Sequence, residues 1–126
     1  MFFRVSESTQ ESSSGRFNAG LHFGFDHCTV SVQFGNGNYC DNRHQKKSDC
    51  FDRETGGIFC QNAEVAVLDN DGNYISGWPH SVSHDKVAGW LTTEEVLEVL
   101  NWAKDYKPAP QLIIPPFPQF DFAAAS

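Results

Sequence analysis

The stretch Ala63-Glu64-Val65-Ala66-Val67-Leu68-Asp69-Asn70-Asp71-Gly72-Asn73-Tyr74-Ile75 decides the fold. Ala63, Val65 and Val67 alternate with Glu64 and Ala66, and a period of two puts one set on each face of a strand. Asp71-Gly72 then sits between apolar runs, which is a strong hairpin signal. Tyr74-Ile75 starts a return that Gly77-Trp78-Pro79-His80 interrupts. The chain around this stretch therefore builds a sheet.

Upstream the same period recurs twice. Phe17, Ala19, Leu21, Phe23 and Phe25 alternate with Arg16, Asn18, Gly20, His22 and Gly24. Cys28, Val30, Val32 and Phe34 alternate with Thr29, Ser31 and Gln33. Asp26-His27 predicts the turn between these two strands, and Gly35-Asn36-Gly37-Asn38 ends the second with residues that tolerate positive φ. Residues 36–57 show neither period and predict a long loop. Downstream, Val87-Ala88-Gly89-Trp90 predicts one further short strand or an approach to a helix.

Thr92-Thr93-Glu94-Glu95 has the pattern of a capping box, with Thr92 as the cap. Val96, Leu97, Val99, Leu100 and Ala103 follow at helical spacing, and Pro108 stops the helix. The fold class is α+β: a mostly antiparallel sheet of four or five strands with one C-terminal amphipathic helix on one face. The domain spans 16–107. Residues 1–15 form a Ser-rich arm expected to be mobile, although Phe2, Phe3 and Val5 could add a strand at a sheet edge. Residues 108–126 form an extended Pro/Phe-rich tail, because closely spaced prolines exclude a helix. The tail carries Leu112, Ile113, Ile114, Phe117, Phe120 and Phe122. It is too apolar to stay free and is expected to wrap its own domain or dock on a partner.

The chain has 126 residues and a net charge of −7, which suits one domain and argues against duplex nucleic acid as a partner. From residue 61 to 106 there are eight acids and two bases, a net charge of −6. Glu64, Asp69, Asp71, Glu94, Glu95 and Glu98 are thus candidates for an acidic recognition face, unless they only solvate the surface. Trp78, Trp90, Phe117 and Phe120 are candidate apolar anchors. No run approaches the ~20 apolar residues of a membrane span. The N-terminus lacks the order of a signal peptide, so the protein is expected to be made and kept in a cytoplasm.

Cys28, Cys40, Cys50 and Cys60, with His44 as a substitute, could hold structural zinc. Their spacings of eleven, nine and nine intervening residues contain no tight Cys-x-x-Cys knuckle. Disulfides and free thiols are the competing readings, and no cofactor is assigned. His80 and His84 are four apart in a Pro/Ser context that predicts loop. Asp69-x-Asp71-Gly72 begins like a calcium loop, but the sixth and twelfth positions are Tyr74 and His80 rather than Gly and an acid. No nucleophile elbow, phosphate loop or dinucleotide fingerprint is present, so the chain is read as a non-enzyme.

Three stretches carry a resemblance: Val30 to Cys40, Asn62 to Gly72, and Val87 to Val96. In that order they resemble a group of small uncharacterised accessory proteins encoded by tailed bacteriophages and prophages, over about residues 28–103. The resemblance implies a phage accessory protein that binds and inhibits a bacterial protein or nucleoprotein complex, CRISPR-type defences included. It brings no catalytic residues. Two alternatives stand beside it: a virion assembly protein using its terminal arms, and a zinc-stabilised binding module.

Overall fold

The structure is a computed structural model, and it describes residues 1–7 and 15–110. Five strands form one antiparallel sheet: β1 (Phe2–Glu7), β2 (Ala19–Gly24), β3 (Cys28–Gln33), β4 (Ala63–Asp69) and β5 (Ala88–Leu91). They lie side by side in chain order. One helix, α1 (Thr93–Asp105), follows. The α+β architecture read from the sequence is the architecture found.

The register shows why the alternation folds this way. Val30 stands opposite Val67 and Val32 opposite Val65. The apolar set of each strand thereby shares a face, and a slip of one residue would turn every one of them to water. α1 packs on β3, β4 and β5 from that face. Val99 and Ala103 are buried beneath it, with Val30, Val65, Val67, Ala88 and Leu91 as the floor. The capping box is complete: Glu95 N–H donates to Thr92 Oγ1 at 3.2 Å, and Thr92 N–H donates to Glu95 Oε1 at 2.9 Å.

Three expectations change. The start of the chain is β1, the edge strand that Phe2, Phe3 and Val5 allowed, paired to β2 along its whole length, so Phe2–Glu7 belongs to the sheet and not to the arm. Residues 8–14 of that arm and residues 111–126 of the tail lie outside the described residues. The 36–57 segment is an ordered platform with two short 3-10 turns, Asp41–His44 and Lys47–Cys50. Its glue is three buried asparagines. Asn36 Oδ1 accepts from Phe17 N at 2.8 Å, while its Nδ2 donates to Gln45 O at 3.1 Å. Asn38 Oδ1 accepts from Gly35 N at 2.9 Å. Asn42 Nδ2 donates to Phe34 O and Phe59 O at 2.8 and 2.9 Å. A buried amide must satisfy its hydrogen bonds, and here each does so by tying the loop to the sheet or to its own turns. A second small core of Phe17, Ala19, Cys50 and Ile58 forms beneath the platform.

Third, Leu97 leaves the helix's buried stripe. It is 56% exposed, on the flank of α1 beside the sheet.

Candidate functional site

The six candidate acids do not form one face. Glu64 turns toward the platform, accepting from Tyr39 N at 3.1 Å and Asn38 Nδ2 at 3.3 Å. Asp69 is a turn residue whose Oδ1 accepts from Asp71 N and Asn73 N, both at 2.9 Å. Asp71 is exposed at that same turn, where β4 begins its return toward Tyr74. Glu95 is occupied by the helix cap, and that backbone hydrogen bond from Thr92 holds its carboxyl below the usual carboxylate range. These are local structural roles that the sequence placed on a recognition surface. A strand or turn acid points wherever a nearby N–H captures it, and such captures set Glu64, Asp69 and Glu95.

What remains is a strip on α1. Glu94 and Glu98 are exposed one turn apart, with Leu97 between them. His80 reaches the strip from the loop before β5, with its Nε2 against Glu98 Oε1 and its Nδ1 3.6 Å from Glu95 Oε2. Beside the strip, an apolar groove of about 460 Å³ runs between the helix and the sheet. Val96, Leu97 and Leu100 form its helical wall, and Ile58 and Phe59 form the facing wall. Neither Leu97 nor Phe59 is covered, so the groove has an apolar rim as well as an apolar floor.

The aromatic candidates separate. Trp78 is 3% exposed and belongs to the main core, its indole N–H donating to Ile75 O at 2.8 Å. It is a structural residue, contrary to the expected anchor role, because its ring is packed in the main core and its one polar atom is satisfied there. Trp90 is half exposed and leans on Tyr39, with ring centroids 5.9 Å apart, while the Arg43 guanidinium covers Tyr39 from 4.4 Å. Trp90 has φ of +56°, an uncommon left-handed conformation for a large side chain. The Trp90 N–H donates to Tyr39 O at 2.9 Å, which ties β5 to the platform in that conformation. Phe117 and Phe120 lie outside the described residues.

The proposed metal set does not assemble. Cys28 is buried under the helix end, where its Sγ lies 3.5 Å from Ala103 O. Cys40, Cys50 and Cys60 lie on the platform side, with Cys60 beside both of the others. His44 faces a separate cavity lined by Arg16, Arg43, Lys46 and Lys47. Among the described residues no group of three or more metal-ligating side chains is placed to hold an ion. All four thiols are free. Burial pushes the Cys40 thiol up to about 12, and the neighbouring Cys60 adds to the rise. Burial likewise raises Cys28 and Cys50.

Sequence reasoning missed the groove. Its walls come from segments about forty residues apart, and Ile58-Phe59 sits in a stretch with no periodicity to flag it. No helix of the described residues is long and apolar enough to cross a membrane. Comparison with protein-family models, with curated proteins and with solved structures found no match.

Proposed function

We propose that this protein acts by binding rather than by catalysis, and that it inhibits a bacterial host or defence complex as a phage accessory protein. The binding surface is the α1 strip with the groove at its side. The observation that carries this reading is Leu97, a large apolar side chain left exposed between Glu94 and Glu98 on the rim of an apolar groove. An apolar anchor with carboxylates on its outer side and an apolar groove on its inner side fits a partner segment that presents a hydrophobic residue beside Lys or Arg. The acids steer the encounter and the groove holds the anchor. The resemblance to phage accessory proteins over residues 28–103 supports the identity of the target as a bacterial complex.

The test is retention of a complex from bacterial lysate at low salt, with three baits compared. The wild-type chain is expected to retain a defined protein or nucleoprotein complex. Leu97→Asp, and the pair Glu94→Lys with Glu98→Lys, are expected to release it. No retention by the wild type, or equal retention by all three, removes the proposal.

A further inference from the structure

The sheet is wider than the helix that covers it. α1 lies on β3, β4 and β5, and β1 and β2 extend past it as a wing. On the core-facing side of that wing, Phe3 stands opposite Phe23 and Val5 opposite Leu21. Leu21 and Phe23 in turn stand opposite Val32 and Val30, so the row continues straight out of the buried core. Nevertheless, Phe3 is 82% exposed and Val5 70%. At one end of this shelf an apolar cavity of about 440 Å³ opens between Phe3, Phe23 and Phe25. A contiguous apolar surface that prolongs a core calls for a cover.

The same chain supplies a segment of matching chemistry at the right place. α1 ends beside the β2–β3 hairpin: Cys28 Sγ contacts Ala103 O at 3.5 Å, and Phe25 N–H donates to Cys28 O at 2.8 Å. The chain therefore leaves the helix next to Phe25, where the shelf begins. Beyond Pro110 come Leu112, Ile113, Ile114, Phe117, Phe120 and Phe122, interrupted only by Pro, Gln and Asp121. At ~3.1 Å per residue, an extended chain from Lys107 reaches about 40 Å by Phe120. The distance from β3 across to β1 is only two strand spacings, about 10 Å. Pro115, Pro116 and Pro118 lack N–H groups and cannot extend the ladder at the β1 edge. They do restrict the chain beforehand, which lowers the entropy lost on docking against a face.

We propose that residues 111–122 fold back over the β1–β2 wing of their own chain and cover Phe3, Val5, Leu21 and Phe23. The tail then completes the core, and Phe117 and Phe120 are fold residues rather than anchors for a partner. The inference rests on the wing alone and not on the binding strip of α1, although Val32 lines the groove and stands opposite Leu21 of the shelf.

The experiment uses the full chain with Val5 replaced by photo-reactive p-benzoylphenylalanine. Val5 is 70% exposed on the sheet itself, so the larger side chain disturbs no strand packing and meets only the proposed cover. Irradiation of dilute protein, followed by peptide mapping, is expected to give a cross-link to residues 111–122 within a species of monomer mass. A link to that segment at dimer mass shows exchange with a second copy and overturns the proposal. So does a link only to other segments, or no link at all. In the second arm, Phe117→Asp with Phe120→Asp in the same chain is expected to abolish the cross-link. It is also expected to raise the emission of a hydrophobic dye with the far-ultraviolet dichroism unchanged. An unaltered cross-link and unaltered dye emission overturn the proposal. The unsubstituted tail decides the matter if that variant fails to fold.

Discussion

Single side chains carry much of this fold, and three of them are asparagines. Asn36 serves Phe17 N with its oxygen and Gln45 O with its amide nitrogen, and it is almost fully buried. Asn36→Ala leaves those backbone groups without partners in a closed site. The expected loss is about 2 kcal/mol of unfolding free energy, measured by urea titration. At Gly20, an added Cβ would sit 1.9 Å from Val32 O, so that position admits no side chain while β2 and β3 stay paired. The cysteines give a second prediction at this scale. Cys28, Cys40 and Cys50 are buried with raised thiol pKa values, whereas Cys60 is partly open. A thiolate reagent at neutral pH is expected to label Cys60 rapidly and the other three only after denaturation. Rapid native labelling of two or more thiols contradicts the packing described. The sequence marks 36–57 as polar and turn-rich but not which amides point inward. That choice is made by carbonyls as distant in sequence as Phe59, and polarity alone carries no trace of it.

The helix is the element most fully legible in advance. Its cap, its acidic first turn and its end before Pro108 all follow from local chemistry, and local chemistry is what a sequence displays. Thr92→Ala removes one half of the capping box and is expected to cost about 1 kcal/mol. The Glu95 half titrates. Its carboxyl has a lower pKa folded than unfolded, so its contribution is fully present above the ordinary Glu value of 4.5. It is lost as pH falls through the depressed value. Stability measured along that acid limb is expected to fall less steeply in Glu95→Gln than in the wild type, because Gln keeps the hydrogen bond without the titration. The strands were legible by period, and register followed from the apolar face. Leu97 was not: it reads as part of the apolar stripe, but Val99 and Ala103 set the buried line of α1 and Leu97 stands off that line at the groove.

At the scale of the whole molecule, the charge is less concentrated than composition suggests. Of the acids in residues 61–106, Glu64, Asp69 and Glu95 are committed to backbone N–H groups, and Glu98 meets His80. The remaining acids are Glu94 and Asp105 on α1, the latter beside Lys104, and Asp71 and Asp85 on turns off the helix, and the binding strip uses the field of the helical carboxylates. If that field steers a basic partner, association with the captured complex is expected to slow about tenfold between 50 and 500 mM salt, at nearly constant dissociation rate. Stopped-flow or surface binding kinetics read this directly. The pair Glu94→Gln with Glu98→Gln is expected to flatten the dependence. An equal salt slope in both proteins places the steering charge elsewhere.

Each strand of the sheet has as its neighbour the strand translated just before it. A ribosome releasing this chain from the N-terminus thus delivers every partner in the order in which it is needed, with α1 arriving last to close over strands already aligned. Pairing can advance like a zip, with its longest wait between β3 and β4 while the platform is made. Such an arrangement keeps loop closures small and leaves few unpaired edges exposed during synthesis.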